Sequence, residues 1–249
     1  MKFIDQLKEK AKQNKKTIVL PETSDMRTIE AAGKVLAEGI ANIILVGDKE
    51  DIMSKAGDID LSGASFVDPK NYEKFDEYVD AFVEMRRKKG MTEARAKELL
   101  LTNPLYFGCM MVKQDDADGM VAGAINASAD VLRAALQTLK TAPGTRIVSA
   151  FFLVVVPDCQ YGANGTFVFA DAGLNQSPSA SELADIAEQS AKSFELLVDE
   201  TPVVAMLSHS TKGSAKHPDV DKVIEATEIV NAEFPDLLCD GELQADSAL

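Results

Sequence analysis

An α/β fold of two lobes, each with a mainly parallel sheet flanked by helices, is what this sequence predicts, and three observations carry the prediction. Short apolar runs rich in β-branched residues, such as TIVL at 17–20, NIILV at 42–46 and VVAML at 203–207, alternate with longer stretches of helical period. The early runs are each closed by Pro, Gly or Asp, residues that stop regular structure. Thr141-Ala142-Pro143-Gly144 then gives the clearest break, placing a first lobe at residues 1–143 and a second, incomplete one at residues 144–249.

Each element has a local reason. Residues 17–20, 42–46 and 64–67 read as strands, with a helix at 27–38 between the first two. A helix over 72–89 puts Phe75, Val79, Phe82 and Val83 on one face and is stopped by Gly90; another begins with Thr92 and Arg95. Residues 118–121 form a strand that runs into the small-residue loop Ala122-Gly123-Ala124, and the Leu132, Leu136, Leu139 spacing predicts an amphipathic helix over 130–140. In the second lobe, residues 147–156 read as a buried strand closed by Pro157-Asp158. Residues 166–170 can pair with it as a hairpin across the Gly162 and Gly165 turn. Ser179 with Glu182 is a capping box that opens a helix carrying Leu183, Ile186, Ala187, Phe194 and Leu197 inward. The strand at 203–207 leads through residues 208–214 into a helix from about 219 to 234, and a short strand follows at 237–239. Residues 241–249 stand where a crossover helix should begin, so the chain is expected to stop in mid-fold.

Composition removes several functions. With 46% hydrophobic and 27% charged residues the chain is core-forming rather than disordered, and its longest apolar run, at 151–156, is far too short to cross a bilayer. The start lacks the apolar stretch of a signal peptide, so a cytoplasmic location is expected. Cys109, Cys159 and Cys239 lie far apart with no C-x-x-C spacing, and His209 and His217 are the only imidazoles, which argues against a zinc site and predicts no metal. Forty acidic against 26 basic residues give a net charge of -14, which repels nucleic acid and anionic membrane and requires any anionic ligand to find a local basic pocket. Arg86, Arg87, Lys88 and Lys89 form one of the few basic clusters, although a charge run is usually a solvated face.

No G-x-G-x-x-G or Walker-type P-loop occurs. Two loops nevertheless suit an anion. Residues 208–214 follow a strand, precede a helix and combine Ser210, Thr211, Lys212 and Gly213 with two further serines. A plain polar surface loop fits the same residues. Residues 122–130 are small enough for close approach, and Ser128 or Asp130 can cap the helix that carries Arg133 one turn inside, where the helix dipole and a guanidinium can grip phosphate together. Cys159 stands just past a strand end, a position where open α/β sheets place ligands, but neither histidine is spaced to pair with it.

Taken in order, several segments resemble the phosphate acetyl/butyryltransferase family. They are Leu20-Pro21-Glu22-Thr23 with Asp25 and Arg27, RRKKGM at 86–91, Phe107-Gly108-Cys109-Met110, ADGMVAGA at 117–124, ADVLRAALQ at 129–137, KTAPG at 140–144, the VVPDC core within 151–161, and AMLSHSTKG at 205–213. PDVDK at 218–222, PDLL at 235–238 and DGELQ at 240–244 continue the series. The resemblance implies two α/β lobes with the active site in the cleft between them. It implies phosphate acetyltransferase activity, the reversible transfer of acetyl between acetyl-CoA and inorganic phosphate to give acetyl phosphate and CoA. Phosphate butyryltransferase, or a truncated relative that binds CoA or phosphate without turnover, is the alternative. No cofactor is implied beyond coenzyme A as substrate, and the partners are a second copy in a homodimer, with no nucleic acid and no membrane. Carried over by position, Arg86 and Arg133 hold CoA or phosphate, Arg27 is a further anion-binding candidate, Ser128 lies in the same site loop, and Cys159 is a neighbour of the CoA site that is not a nucleophile. Ser210, Thr211, Lys212 and Gly213 correspond to the second-lobe loop facing the cleft. The catalytic base, an Asp, and a Ser-Arg pair are expected beyond Leu249.

Overall fold

Four parallel strands organise the first part of the chain. The structure, a computed structural model, describes residues 3–249 and divides into two units between Lys140 and Thr141. The first unit runs α1 (Phe3–Gln13), β1 (Thr17–Leu20), α2 (Met26–Glu38), β2 (Asn42–Val46), α3 (Lys49–Ala56) and β3 (Ser65–Val67). It continues with α4 (Phe75–Arg86), a 3-10 turn (Arg87–Lys89), α5 (Glu93–Thr102), α6 (Pro104–Lys113), β4 (Gly119–Met120) and α7 (Ser128–Thr138). The strands lie in the order β3-β2-β1-β4, all parallel, with Leu20 opposite Leu45 and Val46 opposite Val67. Because successive strand residues point to opposite faces, Val19, Ile44 and Val46 pack with Phe82, Leu100 and Phe107, while Leu20, Ile43 and Leu45 pack with Ile29, Ile52 and Leu61. Burial on both faces is what makes TIVL and NIILV continuous apolar runs.

Short caps set the helix starts. Asp25 accepts from Arg27 N, Asp48 from Asp51 N, Thr92 from Arg95 N and Asn103 from Leu105 N, each satisfying an amide the helix itself cannot. The helix expected over 72–89 is α4 alone, because Lys74 is its N-cap and the chain tightens to a 3-10 turn after Arg86. Helix α6 had no periodic signal because Leu105–Met111 is buried all round. It lies so close to the sheet that a Cβ on Gly108 would stand 2.8 Å from Met120 Sδ and 3.3 Å from a Val19 methyl.

The second unit contains an antiparallel hairpin, β5 (Phe151–Val155) with β6 (Thr166–Ala170), and a parallel pair, β7 (Val203–Leu207) with β8 (Leu238–Leu243). Helices α8 (Ala180–Val198) and α9 (Pro218–Glu233) pack through Ala184, Ala187, Val223, Ala226 and Val230, and α10 (Ala245–Ala248) follows β8. The capping box is present: Glu182 N donates to Ser179 Oγ and Ser179 N to Glu182 Oε2. Two expectations are corrected. The strand at 147–156 is shorter and is not buried: Phe152 is 64% and Phe169 55% exposed, since in this unit no second layer covers that hairpin face, so a continuous apolar run here does not mean two-sided burial. The strand at 237–239 extends to Leu243 because its pairing with β7 continues past a register shift at Met206/Leu207.

Phe107 is fully buried against the rings of Tyr72 and Tyr78, both 5.6 Å away between centroids. Phe107→Ala is expected to lower unfolding stability by about 3 to 5 kcal/mol in a urea titration; a loss below about 1 kcal/mol would show that the cavity collapses and the aromatic cluster is not a fixed core.

Candidate active site

Parallel strands bring their C-terminal ends to one edge of the sheet, where the loops after β1 and β4 meet. Glu22, two residues past β1 and 2% exposed, is the centre of that meeting. Its carboxylate accepts from four consecutive amides: Gly123 N at 2.7 Å and Ala124 N at 2.6 Å on Oε2, Ile125 N at 3.1 Å and Asn126 N at 2.9 Å on Oε1. Asn126 Nδ2 adds a fifth bond at 2.7 Å. Gly123 makes the convergence possible with φ +110°, a conformation closed to side-chain-bearing residues. Arg27 completes the corner, bonded to both Asp25 oxygens at 3.0 and 2.8 Å and donating to Ala124 O. The loop is therefore held by a carboxylate at its N–H groups and by a guanidinium at a carbonyl.

This arrangement corrects the expectation that the loop at residues 122–130 is open to close approach by an outside anion. The anion is built in. It also corrects the capping assignment: Ala127 is the N-cap of α7 with no side-chain bond, Ser128 is the exposed first residue, and Asp130 pairs with Arg133. An alanine has no acceptor, so the loop is fixed from Glu22 instead.

Arg86 and Arg133 both lie near enough to Tyr106 for their charges to act on its phenol. Burial pushes the Tyr106 phenol up, and the charges of Arg133 and Arg86 act against that rise; its hydroxyl donates to Gln137 Oε1 at 3.1 Å. Of the basic cluster only Arg86 turns inward, its Nε buried without a hydrogen-bond partner, while Arg87 pairs with Glu84 and Lys88 and Lys89 are exposed. An unpaired buried guanidinium nitrogen is costly unless a ligand meets it.

In the second unit the loop after β7 repeats the first unit's device. Glu242, 3% exposed, accepts from Gly213 N at 2.7 Å and Ser210 Oγ at 2.9 Å. The Gly213 bond chiefly, helped by Ser210 and working against burial, holds its carboxyl below the usual range. Lys212 and Gly213 both take left-handed backbone, φ +46° and +84°, which aims the Gly213 amide inward. Thr211 Oγ1 accepts from Gln244 N at 2.8 Å, and Lys212 Nζ is bound to Asp240 and to Gly241 O at 2.7 Å. Ser210, Thr211, Lys212 and Gly213 are thus engaged with β8 and its exit rather than standing open, because the strand supplies a carboxylate the sequence reading did not place. Cys159 is half-buried in the turn between β5 and β6 and is a free thiol. Among the described residues no cluster of three or more His, Cys, Asp or Glu is placed to hold a metal ion, and no helix is long and apolar enough to cross a membrane. A hollow of about 460 Å³ in the second unit, lined by Glu188, Lys192, Glu233 and Phe234 among others, contains none of the candidate substrate-binding residues.

Glu22, Glu242 and Tyr106 escaped the sequence reading. A Gly-rich loop presenting consecutive amides needs an acceptor, and a lone glutamate just past an apolar strand was the available signal.

The fold defines the class: an α/β protein with parallel sheets and its polar clusters at strand ends. The family described as Phosphate acetyl/butaryl transferase matches residues 2–249, and the chain belongs to it. It is 52% identical over 249 residues to the phosphate acetyltransferase of Acetivibrio thermocellus, covering all of this chain and 75% of that protein. With the phosphate acetyltransferase of Thermoanaerobacterium thermosaccharolyticum the figures are 54%, all of this chain and 76%. The crystal structure of a phosphotransacetylase from Streptococcus pyogenes superposes with a TM-score of 0.90 at 40% identity, over 99% of this chain and 74% of that one.

Burial alone would raise the Glu22 carboxyl, but the hydrogen bonds from the Asn126 side chain and from the Asn126, Ala124 and Ile125 amides outweigh it and lower it from 4.5 to about 2. The folded value lies below the unfolded one, so its contribution, about 3 kcal/mol, is complete above about pH 4.5 and is lost as pH falls towards 2. Urea stability measured between pH 5 and pH 2 is expected to fall more steeply for the native chain than for Glu22→Gln; parallel slopes would contradict the assignment.

Proposed function

We propose that the chain acts as a phosphate acetyltransferase, transferring acetyl reversibly between acetyl-CoA and inorganic phosphate to give acetyl phosphate and CoA. The observation that carries this reading is the pair Arg86, with its buried Nε, and Arg133, with its exposed guanidinium, whose charges both act on the buried Tyr106, in a chain more than half identical to proteins named phosphate acetyltransferase over its whole length. CoA and phosphate are both anions, and a protein of net charge -14 repels them everywhere except at such a cluster. The buried, unpartnered Nε of Arg86 and the exposed guanidinium of Arg133 supply forked donors suited to phosphate oxygens. Arg27, 70% exposed beyond its bond to Asp25, is a further anion contact, and Ser128 lies at the start of the same helix. The phosphate is held and its charge balanced, so that one of its oxygens adds to the acyl carbonyl carbon, and collapse of the tetrahedral oxyanion breaks the C–S bond and releases the CoA thiolate. Coenzyme A is a substrate, and direct transfer needs no metal and no acyl-enzyme. Within the second unit, Cys159 is a substrate-binding candidate that does not act as nucleophile, and Ser210, Thr211, Lys212 and Gly213 are further substrate-binding candidates. The same reading carries a first lobe at 1–143, a second at 144–249, a homodimer and a cytoplasmic location.

The test is calorimetric titration with CoA together with thioester absorbance from acetyl phosphate and CoA. Binding with thioester formation is the expected result; binding without turnover would make the chain a CoA-holding relative, and no binding would overturn both readings. Arg133→Ala and Arg86→Ala are each expected to lose about 1.5 to 3 kcal/mol of CoA or phosphate interaction, roughly 10-fold to 150-fold; unchanged constants would remove that role. Cys159→Ala is expected to retain most activity, and its complete loss would contradict the non-nucleophile assignment.

A further inference from the structure

We propose that Glu22 is a positioning residue for substrate binding, a resident carboxylate that fills the amide nest of residues 123–126 and thereby sets the start of α7 and the placement of Arg133. The inference rests on the reading of Arg86 and Arg133 as the substrate's anion contacts and goes beyond it by naming what orients one of them.

Helix α7 begins without a side-chain cap, since Ala127 offers no acceptor and Asp130 turns to Arg133. Nothing in its own first turn fixes where it starts. Residues 123–126, just ahead of it, are fixed from the loop after the neighbouring strand β1, by the Glu22 bonds to Gly123, Ala124, Ile125 and Asn126 and by the Arg27 bond to Ala124 O. Glu22 itself cannot wander: it is 2% exposed, and its backbone follows Pro21 directly off β1. Position therefore passes from the central strand through one carboxylate to the loop and into the helix, where Arg133 stands five residues past Ser128.

The chemistry explains why the group is a glutamate. Four converging N–H donors and an amide NH2 call for an acceptor with two charged oxygens. Glutamine has the same length but turns its own NH2 towards two of those donors, and aspartate is one methylene short. Filling the nest with an internal anion also denies it to phosphate, so phosphate is left to the arginines.

The experiment uses the full chain at pH 7, with circular dichroism and urea unfolding to establish that each variant is folded, and calorimetry with CoA as the readout. Glu22→Gln and Glu22→Ala are expected to weaken CoA roughly 10-fold to 100-fold. Added formate, which replaces the missing carboxylate, is expected to restore affinity to Glu22→Ala and to have no effect on Arg133→Ala. A purely structural glutamate would lower unfolding stability and leave the CoA affinity of the folded fraction unchanged, and that result overturns the proposal, as does failure of formate to restore any affinity. If neither Glu22 variant folds, Asn126→Ala decides, because it removes one donor and leaves the carboxylate bonded to four amides: a loss of a few-fold, about 3-fold, supports the proposal, and unchanged affinity overturns it. An Arg133→Ala chain that binds CoA normally would overturn the reading beneath the proposal, whereas a weakened Arg133→Ala beside an unaffected Glu22→Gln would overturn the proposal alone.

Discussion

A carboxylate buried to 2% exposure survives in a folded protein only if its charge is met by donors, and Glu22 is met by four backbone amides and one side-chain amide. The dependence runs both ways. Four consecutive amides aimed at one point would be equally costly without an acceptor, and a loop that adopts such a shape does so because the acceptor is there. From this one contact follow the entry angle of α7, the position of Arg133 relative to Tyr106 and Arg86, and the closure of the first unit's strand-end loop to outside anions.

The second unit uses the same physics with a different carrier. Glu242 sits on β8 rather than after the first strand, yet it too meets a strand-end loop through an amide, at Gly213, and a hydroxyl, at Ser210. Lys212 is bonded to Asp240 and to Gly241 O. In both units the loops that sequence marks as anion cradles are satisfied internally. What remains for substrate in the first unit is side-chain charge on helices, which suits an enzyme that must bind two anions and release two others.

The parallel sheet was legible because β1 and β2 are buried on both faces and read as unbroken apolar runs closed by Pro21 and Gly47. The same rule misled at residues 147–156, where an equally apolar run lies in an exposed hairpin. Helix α6 was illegible for the opposite reason: a helix buried all round carries no period. Arg86 and Arg133 stood out through charge at expected helix ends and through family resemblance, and the structure puts both within electrostatic reach of Tyr106. Glu22 did not stand out, since its role depends on the left-handed Gly123 and on pairing between residues a hundred positions apart.

The central claim is that internal carboxylates hold the loops while the arginines receive substrate. The most direct measurement is two-dimensional 15N NMR that follows the backbone amides of residues 123–126 and 213 together with the arginine Nε resonances while CoA is added. The account predicts large shifts at the Nε groups of Arg86 and Arg133, with the five backbone amides keeping their protection from exchange throughout. Amides of 123–126 that shift and exchange freely on CoA addition, with the arginine signals unmoved, would contradict it and return the substrate phosphate to the loop backbone.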